Sequence, residues 1–211
     1  MNYTTYHGED SGGRKSDEVI GSYFDASFVG SMLDVGASHP VVSSCSYHFE
    51  RNGWNVLLVE ANPFWVPILE RERKGKVLNY AATEKDRDDA EFTVAYFYGE
   101  VSGAISSLQP DERLMRMYAH MVTASQTLKV KARTLDWILS HEAPECKKID
   151  VVSIDIEGGE LAALHGFDIE RWQPDLFVVE NNFEEPGVRD YLGQYGYRLD
   201  QRESVNDYFV K

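Results

Sequence analysis

The sequence predicts an α/β fold in which a mostly parallel sheet carries helices on both faces. Three observations lead there. Short continuous apolar runs, among them "SMLDV", "NVLLV" and "VVSI", have the length and the bounding turns of strands buried on both sides. Stretches of helical length separate them. A chain of 211 residues, 43% hydrophobic and 27% charged, suits one packed core better than two small ones. Residues 16–211 are therefore expected to form one domain behind a polar N-terminal arm of residues 1–15, which shows no periodic apolar pattern.

Taken in order, "SDEVIGSYF" opens as a helix, with Ser16 as its N-cap and Asp17 and Glu18 in the first turn. "SMLDVG" is a strand stopped by Gly36, "VVSSCSYHFERNG" is long enough for a helix closed by Gly53, and "NVLLVEANP" holds a second strand that completes a βαβ unit. The next helix lies in "FWVPILERERKG", where Pro67 is tolerated in the first turns and the run "ERERKGK" reads as a solvated face of paired charges. "KVLNYAAT" is a third strand. "AEFTVAYFY" and "TLKVKAR" alternate apolar and polar residues as half-exposed antiparallel strands do, and "SGAISSLQPDERL" between them reads as a loop. Thr134 can cap the helix in "TLDWILSH". After it come the strand "VVSI", a helix from about Glu160, the strand in "PDLFVVENN", one more helix and a C-terminal pair of strands. No repeat or linker divides the chain.

In an open parallel sheet, ligands lie beyond the carboxyl ends of the strands, where the strand order reverses. Polar residues gather at those ends: Asp34 and Ser38 after the first strand, Glu60 and Asn62 after the second, Asp155 and Glu157 after the fourth, Glu180 and Asn181 after the fifth. Matching clusters of this kind describe a cleft. In "DVGAS" the turn at Gly36 lets a ligand approach the backbone at Ala37 and Ser38 and aims helix N–H groups at it. Only one glycine of the dinucleotide fingerprint is present, which argues against a pyrophosphate. Glu60, 24 positions beyond Gly36, is placed to accept both hydroxyls of a ribose, with Ala61 and Asn62 beside it. An adenosine cofactor without a diphosphate satisfies both facts. S-adenosylmethionine (SAM) is the one expected, its sulfonium and amino groups facing Asp34 and an acidic cleft.

The bulk numbers narrow the partners. A net charge of -14 and a pI near 4.8 disfavour nucleic acid and anionic membrane surfaces. No apolar run reaches the roughly 20 residues of a membrane span, and the N-terminus lacks the apolar stretch of a signal peptide, so the cytoplasm is the expected compartment. Cys45 and Cys146 are isolated from each other, which suggests neither a disulfide framework nor a zinc site.

The blocks "MLDVGAS", "VLLVEANP", "NYAAT", "SSL", "KARTLDWIL", "VVSIDIEGGELAALHGFD" and "PDLFVVENN" together resemble the FkbM family of SAM-dependent methyltransferases. The most specific is "IDIEGGELAALHGF", which resembles the family's Asp-x-Glu-Gly-x-Glu-x-x-x-Leu-x-Gly signature. The resemblance implies a Rossmann-like class I methyltransferase fold with seven strands, the last antiparallel, and methylation of a hydroxyl on a sugar or other small metabolite. "DVGASHP" departs from the commoner form of the first block, because Pro40 stands where many members carry Gly. With the cleft geometry, the resemblance also suggests that Ala81 and Ala82 meet the adenine edge.

Asp155 and Glu157, two apart on a strand, point to the same side and repel, so a partner must compensate them. An aliphatic hydroxyl barely ionises near neutral pH, and methyl transfer to it needs a base, a Lewis acid or both. Asp155, Glu180 and Asn181 offer hard oxygen ligands similar to the Asp, Asp-Asn metal site of catechol O-methyltransferase, and Mg2+ suits such a set. The alternative is a metal-free site in which the N–H groups at the start of the helix near Glu160 neutralise a carboxylate, and Asp155 or His39 is the base. The aromatic runs Tyr96/Phe97/Tyr98 and Phe64/Trp65 can bracket an acceptor or adenine, or pack in the sheet. Two rival classes remain open from the residues alone: a non-catalytic SAM- or nucleoside-binding module, and, more weakly, a nicotinamide-dependent oxidoreductase.

Overall fold

The computed structural model describes Gly8, residues 13–102 and residues 104–211; of the polar arm, all but Gly8 and residues 13–15 lie outside the described residues. After the helix α1 (Ser16–Gly21) the chain alternates strands and helices: β1 (Ser31–Val35), α2 (Tyr47–Arg51), β2 (Asn55–Val59), α3 (Val66–Glu72) and β3 (Lys76–Leu78). An excursion follows, comprising β4 (Ala81–Ala82), β5 (Arg87–Phe97), β6 (Glu100–Val101), α4 (Glu112–Met117) and β7 (Val122–Arg133). The chain then returns through α5 (Leu135–Glu142), β8 (Val151–Ile154), α6 (Glu160–His165), α7 (Ile169–Trp172), β9 (Leu176–Glu180), α8 (Pro186–Gly193) and the hairpin β10 (Arg198–Glu203) and β11 (Asn206–Val210).

The main sheet has seven strands in the order β10-β11-β9-β8-β1-β2-β3. β3, β2, β1, β8 and β9 pair in parallel, and β11 enters antiparallel to both β9 and β10. This is a Rossmann-like methyltransferase fold, with the order reversing between β1 and β8. Successive residues of each strand serve opposite faces. Leu33, Val35, Val152, Ile154, Phe177 and Phe209 pack against Leu135, Ile138 and Leu139 of α5 and Ala163 and Leu164 of α6. Met32, Leu58, Val151, Val178 and Tyr208 pack against Val19 and Ile20 of α1, Phe49 of α2 and Leu69 of α3. Strands apolar on both faces must be central, which is why these runs show no alternation. Among the described residues, no helix is long and apolar enough to cross a membrane.

Several elements depart from expectation. The stretch "KVLNYAAT" is two strands: β3 stays in the main sheet, whereas Ala81 and Ala82 pair with Ala132 and Arg133 in a second sheet of order β4-β7-β5-β6. Asn79 makes the break, its side chain donating to the Glu60 carbonyl at 2.8 Å while the Tyr80 N–H turns back to Leu78 O at 3.0 Å. The stretch "SGAISSLQPDERL", expected as a loop, ends in the start of α4, whose N-cap Asp111 accepts from the Arg113 N–H at 2.6 Å. Ser16 lies within α1, and the N-cap is Lys15, which gives no side-chain cap. Pro67 occupies the first turn of α3, where its missing N–H costs nothing.

Thr134 does cap α5, its hydroxyl accepting from the Trp137 N–H at 3.1 Å. Thr134→Ala should lower stability by about 1 kcal/mol. Urea unfolding followed by circular dichroism checks this, and an unchanged midpoint would show that the cap contributes nothing.

Candidate active site

β1 ends in a turn that only glycine can make. Gly36 has φ +94°, and a Cβ there would lie 1.7 Å from the carbonyl oxygen of Asp155 at the tip of the neighbouring β8. The space is filled by the protein's own backbone, so here a ligand does not need the missing side chain. The expected helix N-terminus is absent too: the N–H groups of Gly36 and Ala37 bond to Val59 O, and α2 begins only at Tyr47.

The turn delivers Ser38 to Glu60. One Glu60 oxygen accepts the Ser38 N–H at 2.7 Å, and the other accepts the Asn62 N–H at 2.6 Å. Burial pushes the Glu60 carboxyl up to about 7, opposed by those amides of Asn62 and Ser38. Each carboxylate oxygen has a lone pair left for a hydroxyl. Asn62 Nδ2 and Trp65 Nε1 are buried without a hydrogen-bond partner among the described residues.

Asp34 is buried beside this turn. It accepts the Ser46 hydroxyl at 2.5 Å and the Cys45 thiol at 3.4 Å. Burial raises its pKa, against the pull of Ser46 and then of Arg73. Arg73 corrects the reading of "ERERKGK" as a solvated face: its side chain is 0% exposed and pairs with Glu50, 5% exposed, at 3.2 Å. Its remaining nitrogens donate to Pro40 O and Ser44 at 3.2 Å and to Ser46 at 2.9 Å. A buried cation therefore holds the loop 40–46 and, through Ser46, the Asp34 carboxylate.

A cavity of about 380 Å³ lies over these strand tips. Asp34, the turn from Gly36 to His39, the segment Glu60 to Asn62, Ala81, Ala82 and Asp155 all line it. The second sheet closes it, a contribution the element reading missed. Phe92 and the segment from Ser106 to Gln109 contribute to the wall. Their only sequence signal is the short "SSL" block. Of the aromatic runs, Trp65 reaches the cavity, while Phe97 packs on Tyr118 and Tyr96 meets Phe64 edge-on at 6.5 Å.

At the far side, one oxygen each of Asp155, Glu157 and Glu180 lie within 4.8 Å of one another. Asn181, expected in this group, is elsewhere. It follows Glu180 out of the strand and holds the next turn, donating to Glu185 O at 3.0 Å and Asp207 at 2.7 Å and accepting the Glu185 N–H at 2.8 Å. Glu157, at φ 62°, takes its place. The amides at the helix start serve Glu160, which accepts from Ile156 N at 3.1 Å and Gly158 N at 2.9 Å. Burial, and then the charges of Asp155, Glu157 and Glu160, push the Glu180 carboxyl well above the usual carboxylate range. His39 is not placed as a base. Its Nδ1 accepts the N–H groups of Val41 at 3.1 Å and Val42 at 2.9 Å, which leaves the proton of the neutral ring on Nε2.

The model of the family described as "Methyltransferase FkbM domain" matches residues 34–199, and the chain belongs to that family of methyltransferases. No curated protein and no solved structure matches it. The match spans every candidate residue of the cleft.

Arg73→Met should cost about 3–5 kcal/mol, because it leaves Glu50 buried without its cation. Guanidinium unfolding measures the loss. A change below about 1 kcal/mol would place that charge in contact with water.

Proposed function

From its membership in a methyltransferase family, we propose that the chain transfers the methyl group of SAM to an aliphatic hydroxyl of a small acceptor, a sugar or glycosylated metabolite. The observation that carries this reading is the paired arrangement at Glu60, whose two oxygens are each anchored by one backbone amide and each keep a lone pair for a ribose hydroxyl. Ala61, Ala81 and Ala82 leave room for a flat base beside it. Asp34 and Asp155, across the same cavity, favour a sulfonium over a neutral thioether.

In the transfer, an acceptor oxygen attacks the methyl carbon in line with the S–CH3 bond, that bond breaks to leave S-adenosylhomocysteine, and the hydroxyl proton passes to Asp155. Asp155 suits the task because it is exposed and lines the cavity, beside Glu180, whose carboxyl burial pushes well above the usual carboxylate range. His39 offers an N–H donor there. A second reading assigns Mg2+ to Asp155, Glu157 and Glu180, whose hard oxygens fit such an ion; bound there, it would polarise the acceptor hydroxyl.

Calorimetry with S-adenosylhomocysteine followed by a methyl-release assay on pooled sugars and glycosides tests the proposal. Asp155→Asn should spare the binding of S-adenosylhomocysteine, which has no sulfonium, and lower turnover at least about 100-fold. Tight cofactor binding with no turnover on any acceptor would favour a binding module, and loss of turnover in EDTA restored by Mg2+ would favour the metal reading. The Glu60 carboxyl sets a pH dependence. Its folded value, about 7, lies above the ordinary 4.5, so the ionised form that ribose hydroxyls need is depleted below neutrality. Cofactor affinity should rise by about tenfold or more between pH 5.5 and 8. Glu60→Gln should bind weakly at both; an affinity independent of pH in the wild type would remove Glu60 from the cofactor site.

A further inference from the structure

A second cavity, of about 160 Å³, opens on the other side of the acidic cluster. Asp155 and Glu157 line the cofactor cavity and Glu180 lines the second, so the two cavities adjoin at these carboxylates. The volume holds roughly five waters at about 30 Å³ each. Its walls come from the Gly158 loop, the turn after β9 and the start of α4.

Arg113 fastens those walls together. Its guanidinium donates to both oxygens of Asp111 at 2.6–3.2 Å and to Glu185 at 2.6 Å, and it lies 3.9 Å from the centre of the Phe183 ring. The same segment presses on the acidic loop: a Cβ on Gly158 would come within 3.0 Å of Gln109 O. Residues 104–114 thus touch both cavities, Ser106 to Gln109 on the cofactor side and Asp111, Arg113 and Leu114 on the other.

The chemistry of the lining selects its guest. Asp111, Glu160, Glu180 and Glu185 present carboxyl groups, and the one guanidinium among the described lining residues is shared by Asp111 and Glu185, whose two charges exceed its one. A phosphate or carboxylate would be repelled and would find no free cation. Hydroxyls, by contrast, can donate to the carboxylates and accept from amides such as that of Asn182. We propose that the second cavity receives the non-reacting, neutral polyhydroxylated part of the acceptor and rejects its anionic counterparts, and that Arg113 is the positioning residue that keeps this cavity closed. This rests on the methyl-transfer reading, since it places the reacting hydroxyl at Asp155.

The test is calorimetry on the full chain loaded with S-adenosylhomocysteine, titrated with a panel of neutral methyl glycosides and with the matching methyl glycosiduronates, followed by crystals soaked with the best binder. At least one neutral glycoside should bind saturably, with density against Phe183, and its uronate at least tenfold more weakly. R113M should weaken glycoside binding tenfold or more, with cofactor affinity and melting temperature held; R113K should be intermediate. Arg113 is about half exposed, so its loss is not expected to unfold the chain. Equal binding of the uronate, density elsewhere, no glycoside binding in the loaded protein, or an R113M variant that binds as the wild type does would each overturn the proposal. Failure of S-adenosylhomocysteine itself to bind marks a different fault, in the cofactor reading, and takes this inference with it.

Discussion

The Asp155 carbonyl stands where a side chain at position 36 would have to be. Everything at the carboxyl edge follows from that contact. Because β1 and β8 lie side by side to their tips, with the Asp155 N–H bonded to Val35 O at 2.9 Å, the chain leaving β1 cannot continue forward and turns at positive φ toward β2. There it meets Val59 O and then Glu60. A Cβ at 36 would need the tips to part by more than an ångström, and Asp34, Asp155 and Glu60 would no longer face one cavity. The glycine is thus a requirement of strand packing first; the ligand site is its consequence.

The buried acids of this edge are compensated in three different ways. Glu50 takes the direct partnership of Arg73, the only buried Lys or Arg among the described residues, and Asp34 shares that cation through Ser46. Glu60 has no cation, only backbone amides, which oppose but do not cancel the burial that pushes its carboxyl up to about 7. Glu180 has no cation among the described residues, and burial and then its acidic neighbours push its carboxyl well above the usual range. The division is functional. Glu50, fixed by a buried guanidinium, is spent on structure, whereas Asp34, Glu60, Glu160 and Glu180 border the two cavities, where a ligand can complete them.

The fold was legible because the central strands are apolar on both faces: "VVSI" and "LFVV" admit no position in a sheet other than its middle. The cleft was legible for a related reason, since a polar residue immediately after such a run has only the sheet edge to occupy. Three things were not. Arg73 sits in a run of charges whose other members are mostly exposed, and no local pattern marks which of them turns inward. The likeness to an Asp, Asp-Asn metal site places Asn181 with Glu180, but neighbours at a strand end point in opposite directions, and the second of them belongs to the next turn. The division of "KVLNYAAT" depends on Asn79 reaching a carbonyl nineteen residues earlier, a tertiary contact that no window of sequence contains.

The second sheet explains how a fold shared by so many chemistries becomes a particular site here. The strand-tip loops are short and supply the cofactor side, yet a cavity bounded by them alone would be open to solvent, where charge interactions among Asp34, Glu60 and Asp155 would be weak. The excursion between β3 and α5 closes it from above. The same excursion continues over Gly158 to Arg113, so the wall of the cofactor cavity and the wall of the second cavity are one covalent segment. The crossing favours a glycine: Gly158 has φ 110°, and a Cβ there would lie only 3.0 Å from Gln109 O. The acidic loop and the segment above it are therefore closely packed where the two cavities adjoin.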